Sequence, residues 1–132
     1  MSSGVQVRGS CSQGNPIVVR GDGAKLTGSI ALSGSGLIVT GFTIERGSIW
    51  IKGDNNRVSR NTLNNSADTA LRIVPTSRNN VIAYNSVTGA RARGIEIQVT
   101  NGGGASNSGN KISNNTVTNM SGTGNGHEAI RI

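Results

Sequence analysis

NNRVSRNTLNN (55–65) recurs along the chain as NNVIAYNSVTG (79–89) and GNKISNNTVTN (109–119). Laid over one another, the three copies align Asn56 with Asn80 and Asn110, and Val58 with Ile82 and Ile112. Asn61, Asn85 and Asn115 form the next column, and Leu63, Val87 and Val117 the one after it. GLIVTGFTIER (36–46) fits the same frame through Val39, Phe42 and Ile44 but lacks the asparagines. Self-similarity at a fixed spacing marks an architecture of stacked units, each burying its apolar face against its neighbours.

Working outward, a second strand-like segment accompanies each unit. Its apolar pairs are Val5/Val7, Ile30/Leu32, Ile49/Ile51, Leu71/Ile73, Ile95/Ile97 and Ile130/Ile132, each alternating apolar, variable, apolar as a half-buried strand does. The steps between pairs are 25, 19, 22, 24 and 35 residues, with the longest step holding the Gly- and Asn-rich excursion TNGGGASNSGN (100–110). Short strands at this period, separated by Gly/Asn bends, predict an all-β chain: a single-stranded, right-handed parallel β-helix (solenoid) of about six coils. The 132 residues form one such domain, 1–132, either complete or a truncated portion of a longer one. Asn tolerates the left-handed backbone of a sharp bend, and stacked Asn side chains can bond along the axis. The Asn61/Asn85/Asn115 column is therefore expected to be a structural ladder.

Composition agrees. Gly numbers 20, Pro only 2, and there is one each of Trp, Tyr and Phe, which disfavours an aromatic-rich sandwich core. No window is rich enough in Ala, Leu, Glu and Lys to read as a long helix. Cys11 is the only cysteine, so no internal disulfide forms, and His127 is the only histidine, which excludes multi-His metal sites. GDGAKLTG (21–28) is Gly-rich but opens no helix, so it is no phosphate-cradling loop. The net charge of +7 comes from basic residues scattered without a run, which speaks for a folded surface attracting polyanions, or for solubility alone, and against a nucleic-acid-binding tail. No apolar stretch approaches the ~20 residues of a membrane span.

On the second strand, the residues between the apolar pairs point outward: Gln6, Ala31, Trp50, Arg72, Glu96 and Arg131. Stacked at ~4.8 Å per coil, Trp50, Arg72, Glu96 and Arg131 form one column. Lys52 lies beside it, and Arg91 and Arg93 enter from the bend before Gly94. An indole platform among guanidinium groups suits a chain of sugar carboxylates or sulfates, since Arg binds carboxylate through two parallel hydrogen bonds. The other reading of the same column is an Arg72–Glu96–Arg131 ion-pair ladder beside an exposed Trp. A second outward column, Thr43, Thr62, Ser86 and Thr116, has the look of an ice-binding array but is too mixed in composition to favour one.

GNPIVVRGDGAKLTG (14–28), SGLIVTGFTIERG (35–47), NNRVSRNTL (55–63), NNVIAYNSV (79–87) and GNGHEAIRI (124–132) together resemble the parallel β-helix polysaccharide lyases of the chondroitinase B and alginate lyase family. The resemblance implies β-elimination on an acidic, uronate-containing polysaccharide. In that family a Lys is the base, an Arg assists protonation, and calcium held by acidic residues neutralises the uronate carboxylate, which acidifies the C5 proton. YNSVTGARARGIEIQ (84–98) is similar to the family's acidic strand, with Glu96 at one calcium-ligand position and Gly94 where the other acidic residue belongs. The Lys falls near Asn101, and no Lys is there. Arg131 matches the Arg, with Tyr84 or His127 as substitutes for the base. A second alignment places GHEAIRI on an earlier, non-catalytic coil. The substrate-binding set is Trp50, Lys52, Arg72, Arg91 and Arg93. A secreted or periplasmic protein is expected, although MSSGVQVRGS (1–10) has no signal-peptide core. The alternative is a non-catalytic, polyanion-binding or self-assembling β-helix lacking the catalytic Lys.

Ile130 and Ile132 are read as core residues, and nothing follows them to cover the last coil. A homo-oligomer joined through the C-terminal coil is the expected consequence.

Overall fold

The structure, a computed structural model, describes residues 4–11, 14–99, 107–123 and 126–132. Asn101 and most of the 100–110 excursion lie outside the described residues. Each coil contributes three short strands. The first holds β1 (Val5–Ser10), β2 (Ile17–Arg20) and β3 (Lys25–Thr27). The second holds β4 (Ile30–Ser35), β5 (Leu37–Thr40) and β6 (Thr43–Glu45), and the third β7 (Ile49–Lys52), β8 (Arg57–Ser59) and β9 (Thr62–Asn64). The fourth holds β10 (Leu71–Ile73), β11 (Val81–Ala83) and β12 (Ser86–Thr88), and the fifth β13 (Arg93–Ile97), β14 (Lys111–Ser113) and β15 (Thr116–Thr118). β16 (Glu128–Arg131) opens a sixth.

The strands stack into three sheets. Sheet A runs β1-β4-β7-β10-β13-β16, sheet B β14-β11-β8-β5-β2, and sheet C β15-β12-β9-β6-β3. Every pairing between successive coils is parallel. The expected β-helix is what forms. The register follows the repeat: Ile30, Ile49, Leu71 and Ile95 stack on sheet A, Val39, Val58 and Ile82 on sheet B, and Ile44, Leu63 and Val87 on sheet C. These side chains are 0–1% exposed and form one continuous core. Burying such columns of β-branched and leucine side chains supplies the main stabilisation, about 1.5–3 kcal/mol for each fully buried side chain.

The ends of the stack differ from its middle. Ile130 and Ile132, expected in the core, are 46% and 84% exposed, and Val5 and Ile17 at the other end are also exposed. An inward position is buried only where a coil lies on both sides of it.

The asparagines divide the work at each bend. Asn56, Asn61, Asn80 and Asn85 are buried and point into the stack. The Asn80 Oδ1 accepts the Asn56 backbone N–H (2.8 Å), and the Asn110 Oδ1 accepts that of Asn80 (2.9 Å). The second ladder runs the same way through Asn61, Asn85 and Asn115. The Nδ2 groups donate to carbonyls of the preceding coil, as Asn85 does to Val58 (3.0 Å). The left-handed backbone falls on the residue before each ladder asparagine: Asn55, Arg60, Asn79, Tyr84, Gly109 and Asn114. The sequence-based expectation placed both jobs on one column. They separate because a side chain at the left-handed position projects outward, while the next residue turns in.

Candidate functional site

The outward column of sheet A is in the expected register: Gln6, Ala31, Trp50, Arg72, Glu96 and Arg131 are successive partners. Trp50 is 46% exposed. The Arg72 guanidinium lies 5.6 Å from its ring centroid, a cation–π contact on the side of the next coil. On the side of the previous coil stands Ala31, whose methyl leaves the indole uncovered. Two depressions meet there. One, about 240 Å³, is lined by Gln6, Arg8, Ala31, Ser33, Trp50 and Lys52 among others. The other, about 330 Å³, runs past Gly4, Val5, Ser29 and Trp50.

Arg8 was not anticipated. It follows from register alone, since Arg8, Ser33 and Lys52 are successive partners on β1, β4 and β7. Reading one residue beyond the Val5/Val7 pair would have found it. Arg8 donates to the Gln6 amide oxygen, and neither Arg8 nor Lys52 has a carboxylate partner among the described residues.

Further along the column the cations are neutralised. Arg72 Nε donates to Glu96 Oε2 (3.0 Å), and its Nη2 reaches Asp68 Oδ2 (3.2 Å) and Thr69 Oγ1 (3.0 Å). Arg93 Nη1 lies 3.3 Å from Glu96 Oε1, and its Nε lies 3.3 Å from Glu128 Oε2. Arg131 is 3.8 Å from the same Glu128 oxygen. Of the expected Arg72–Glu96–Arg131 ladder, the Arg72–Glu96 rung forms, while Arg131 turns to Glu128 and Arg93 takes the second Glu96 oxygen. The Glu96 side chain is 8% exposed and both of its oxygens face guanidinium groups.

These residues do not fit calcium. The ion takes 6–8 oxygen ligands, and no group of three or more His, Cys, Asp or Glu side chains able to hold a metal occurs among the described residues. Gly94 offers no room for a second acidic ligand, because a Cβ there would stand 2.5 Å from Val117 Cγ1 and 2.6 Å from the Ala129 carbonyl oxygen.

The substitute bases do not converge either. Tyr84 occupies the bend between β11 and β12, joining sheets B and C, away from the sheet A column. His127 precedes β16, and its Nδ1 contacts the Arg91 carbonyl oxygen at the edge of sheet A. The Arg91 side chain is exposed at the same edge. The three lysines are dispersed, with Lys25 on β3, Lys52 on β7 and Lys111 on β14.

The family model for the right handed beta helix region matches residues 1–128. The chain belongs to the right-handed β-helix family. No curated protein and no solved structure matches it. Membership in the β-helix family fixes the architecture and leaves the chemistry to the outward side chains. In this β-helix those side chains assemble an indole with two cations that have no carboxylate partner among the described residues at one end of sheet A, and a closed ion-pair network at the other.

Proposed function

We propose that this β-helix is a non-catalytic module that binds acidic polysaccharide across the first three coils of sheet A. One observation carries the reading: the uncovered indole of Trp50 shares a depression with Arg8 and Lys52, which no carboxylate among the described residues neutralises. A sugar ring packs its C–H face on the indole over Ala31. Its carboxylate, or that of the next residue, meets the Arg8 guanidinium and the Lys52 ammonium. Arg72 holds the indole from behind, and its own charge is spent on Glu96 and Asp68. Arg91, exposed at the sheet edge, extends the positive field along the column.

The lyase reading rests on the sequence resemblance. β-Elimination needs a base within hydrogen-bond reach of the C5 proton and a group that neutralises the adjacent carboxylate. Glu96 is committed to two arginines, and Tyr84 and His127 stand on different parts of the surface, so binding without elimination fits the arrangement better.

The two readings separate in one assay. The protein is incubated with alginate and other polyuronates while the absorbance of the unsaturated product is followed, and the same samples are run on alginate-containing gels. Retardation without product is expected. Product formation would establish a lyase, and unretarded protein would remove the polysaccharide reading altogether.

A further inference from the structure

We propose that the outer face of sheet B carries a second binding site, for a dianionic tetrahedral oxyanion such as a phosphate monoester. Arg20, Arg57 and Arg60 line one depression of about 420 Å³, whose floor includes Thr40 and Ser59. Thr40 pairs with both Arg20 and Ser59 in the ladder, so the hydroxyls of the second and third coils stand between the arginines. None of the three arginines has an ion-pair partner among the described residues. The one carboxylate in the depression is Asp22, so three guanidinium groups leave two net positive charges, matching a dianion.

Arg60 supplies a separate observation. Its φ is 55°, in the left-handed region, at a bend where the second, fourth and fifth coils carry Gly41, Tyr84 and Asn114. Asn or Gly meets this backbone requirement at lower cost than Arg. An arginine held there places a guanidinium at the rim of the depression. Guanidinium groups bind oxyanions through paired N–H donors, and the Thr40 and Ser59 hydroxyls can donate to the remaining oxygens. The site lies on another sheet from Trp50 and stands or falls independently of the polysaccharide reading.

The test is calorimetric titration of the intact chain, at low ionic strength, with inorganic phosphate, inorganic sulfate, a sugar phosphate and acetate. Saturable binding of the dianions, with acetate much weaker, is expected. Arg60→Asn keeps a residue suited to the bend, and Arg57→Gln keeps a polar strand residue. Each should weaken phosphate binding at least about tenfold, with unchanged circular dichroism. Arg46→Asn is the control, because it removes the same charge from another left-handed position (φ 63°) outside the depression. It should leave the affinity within about twofold. Tighter binding of the sugar phosphate than of phosphate would identify an ester as the ligand, and equal binding the free oxyanion. The proposal is overturned if no dianion binds saturably, or if Arg46→Asn weakens binding as much as Arg60→Asn, since net charge alone would then explain the effect.

Discussion

The Asn85 side-chain oxygen accepts two hydrogen bonds from Asn61, one from the backbone N–H (3.0 Å) and one from Nδ2 (3.1 Å). The Asn85 Nδ2 meanwhile donates to the Val58 and Ala83 carbonyls. One buried amide thus satisfies polar groups of two coils at a bend where the strand ladder is interrupted.

Asn85→Ala removes all of these bonds at once and leaves the buried Asn61 N–H without a partner. At about 1–3 kcal/mol for the orphaned group and about 1 kcal/mol net for the lost carbonyl bonds, the expected loss is about 2–4 kcal/mol in urea unfolding. Asn119→Gly, at an exposed left-handed position (φ 51°), should stay within about 0.5 kcal/mol. Equal effects at the two sites would contradict the division of labour between inward and left-handed residues.

Tyr84→Asn should stabilise the fold. Tyr84 is exposed and has φ 58°, a conformation that costs an ordinary L-residue about 1–2 kcal/mol and that Asn adopts more readily. A gain of about 0.5–1 kcal/mol is expected in thermal or urea unfolding, with gel retardation by alginate unchanged. Reduced retardation would place Tyr84 in the binding surface after all.

Glu96→Gln should be costly for a different reason. It leaves Arg72 and Arg93, with side chains 16% and 19% exposed, without the carboxylate between them. Breaking such a largely buried pair from one side is expected to cost about 2–4 kcal/mol. Because the same carboxylate is no metal ligand in this account, a chelator should shift neither the unfolding midpoint nor the retardation on alginate gels. A midpoint that falls with chelator would show that a cation is bound.

Much of the fold was legible because the repeat writes its inward positions directly: Val58, Ile82 and Ile112, or Ile49, Leu71 and Ile95, can occupy equivalent places only if the coils stack. The outward column of sheet A followed from strand alternation. Its energetics did not, since Asp68 and Glu128 lie outside that column and only the folded chain brings them to Arg72 and Arg93. Which asparagine of a doublet takes the left-handed backbone was also hidden, because both tolerate it and the direction of the chain decides. The depression on sheet B was missed because Arg20, Arg57 and Arg60 come from different coils and share no sequence motif.

Trp50 is the only tryptophan in the chain, so its fluorescence reports the proposed polysaccharide site without labelling. The most direct test is titration of that fluorescence with alginate oligosaccharides at low ionic strength, on the native chain and on Arg8→Ala and Lys52→Ala. A saturable change, with affinity at least about fivefold weaker in each variant, is the expected result. Fluorescence that stays constant while the oligosaccharide is raised to millimolar levels, or affinities indifferent to both substitutions, would contradict the assignment of this face.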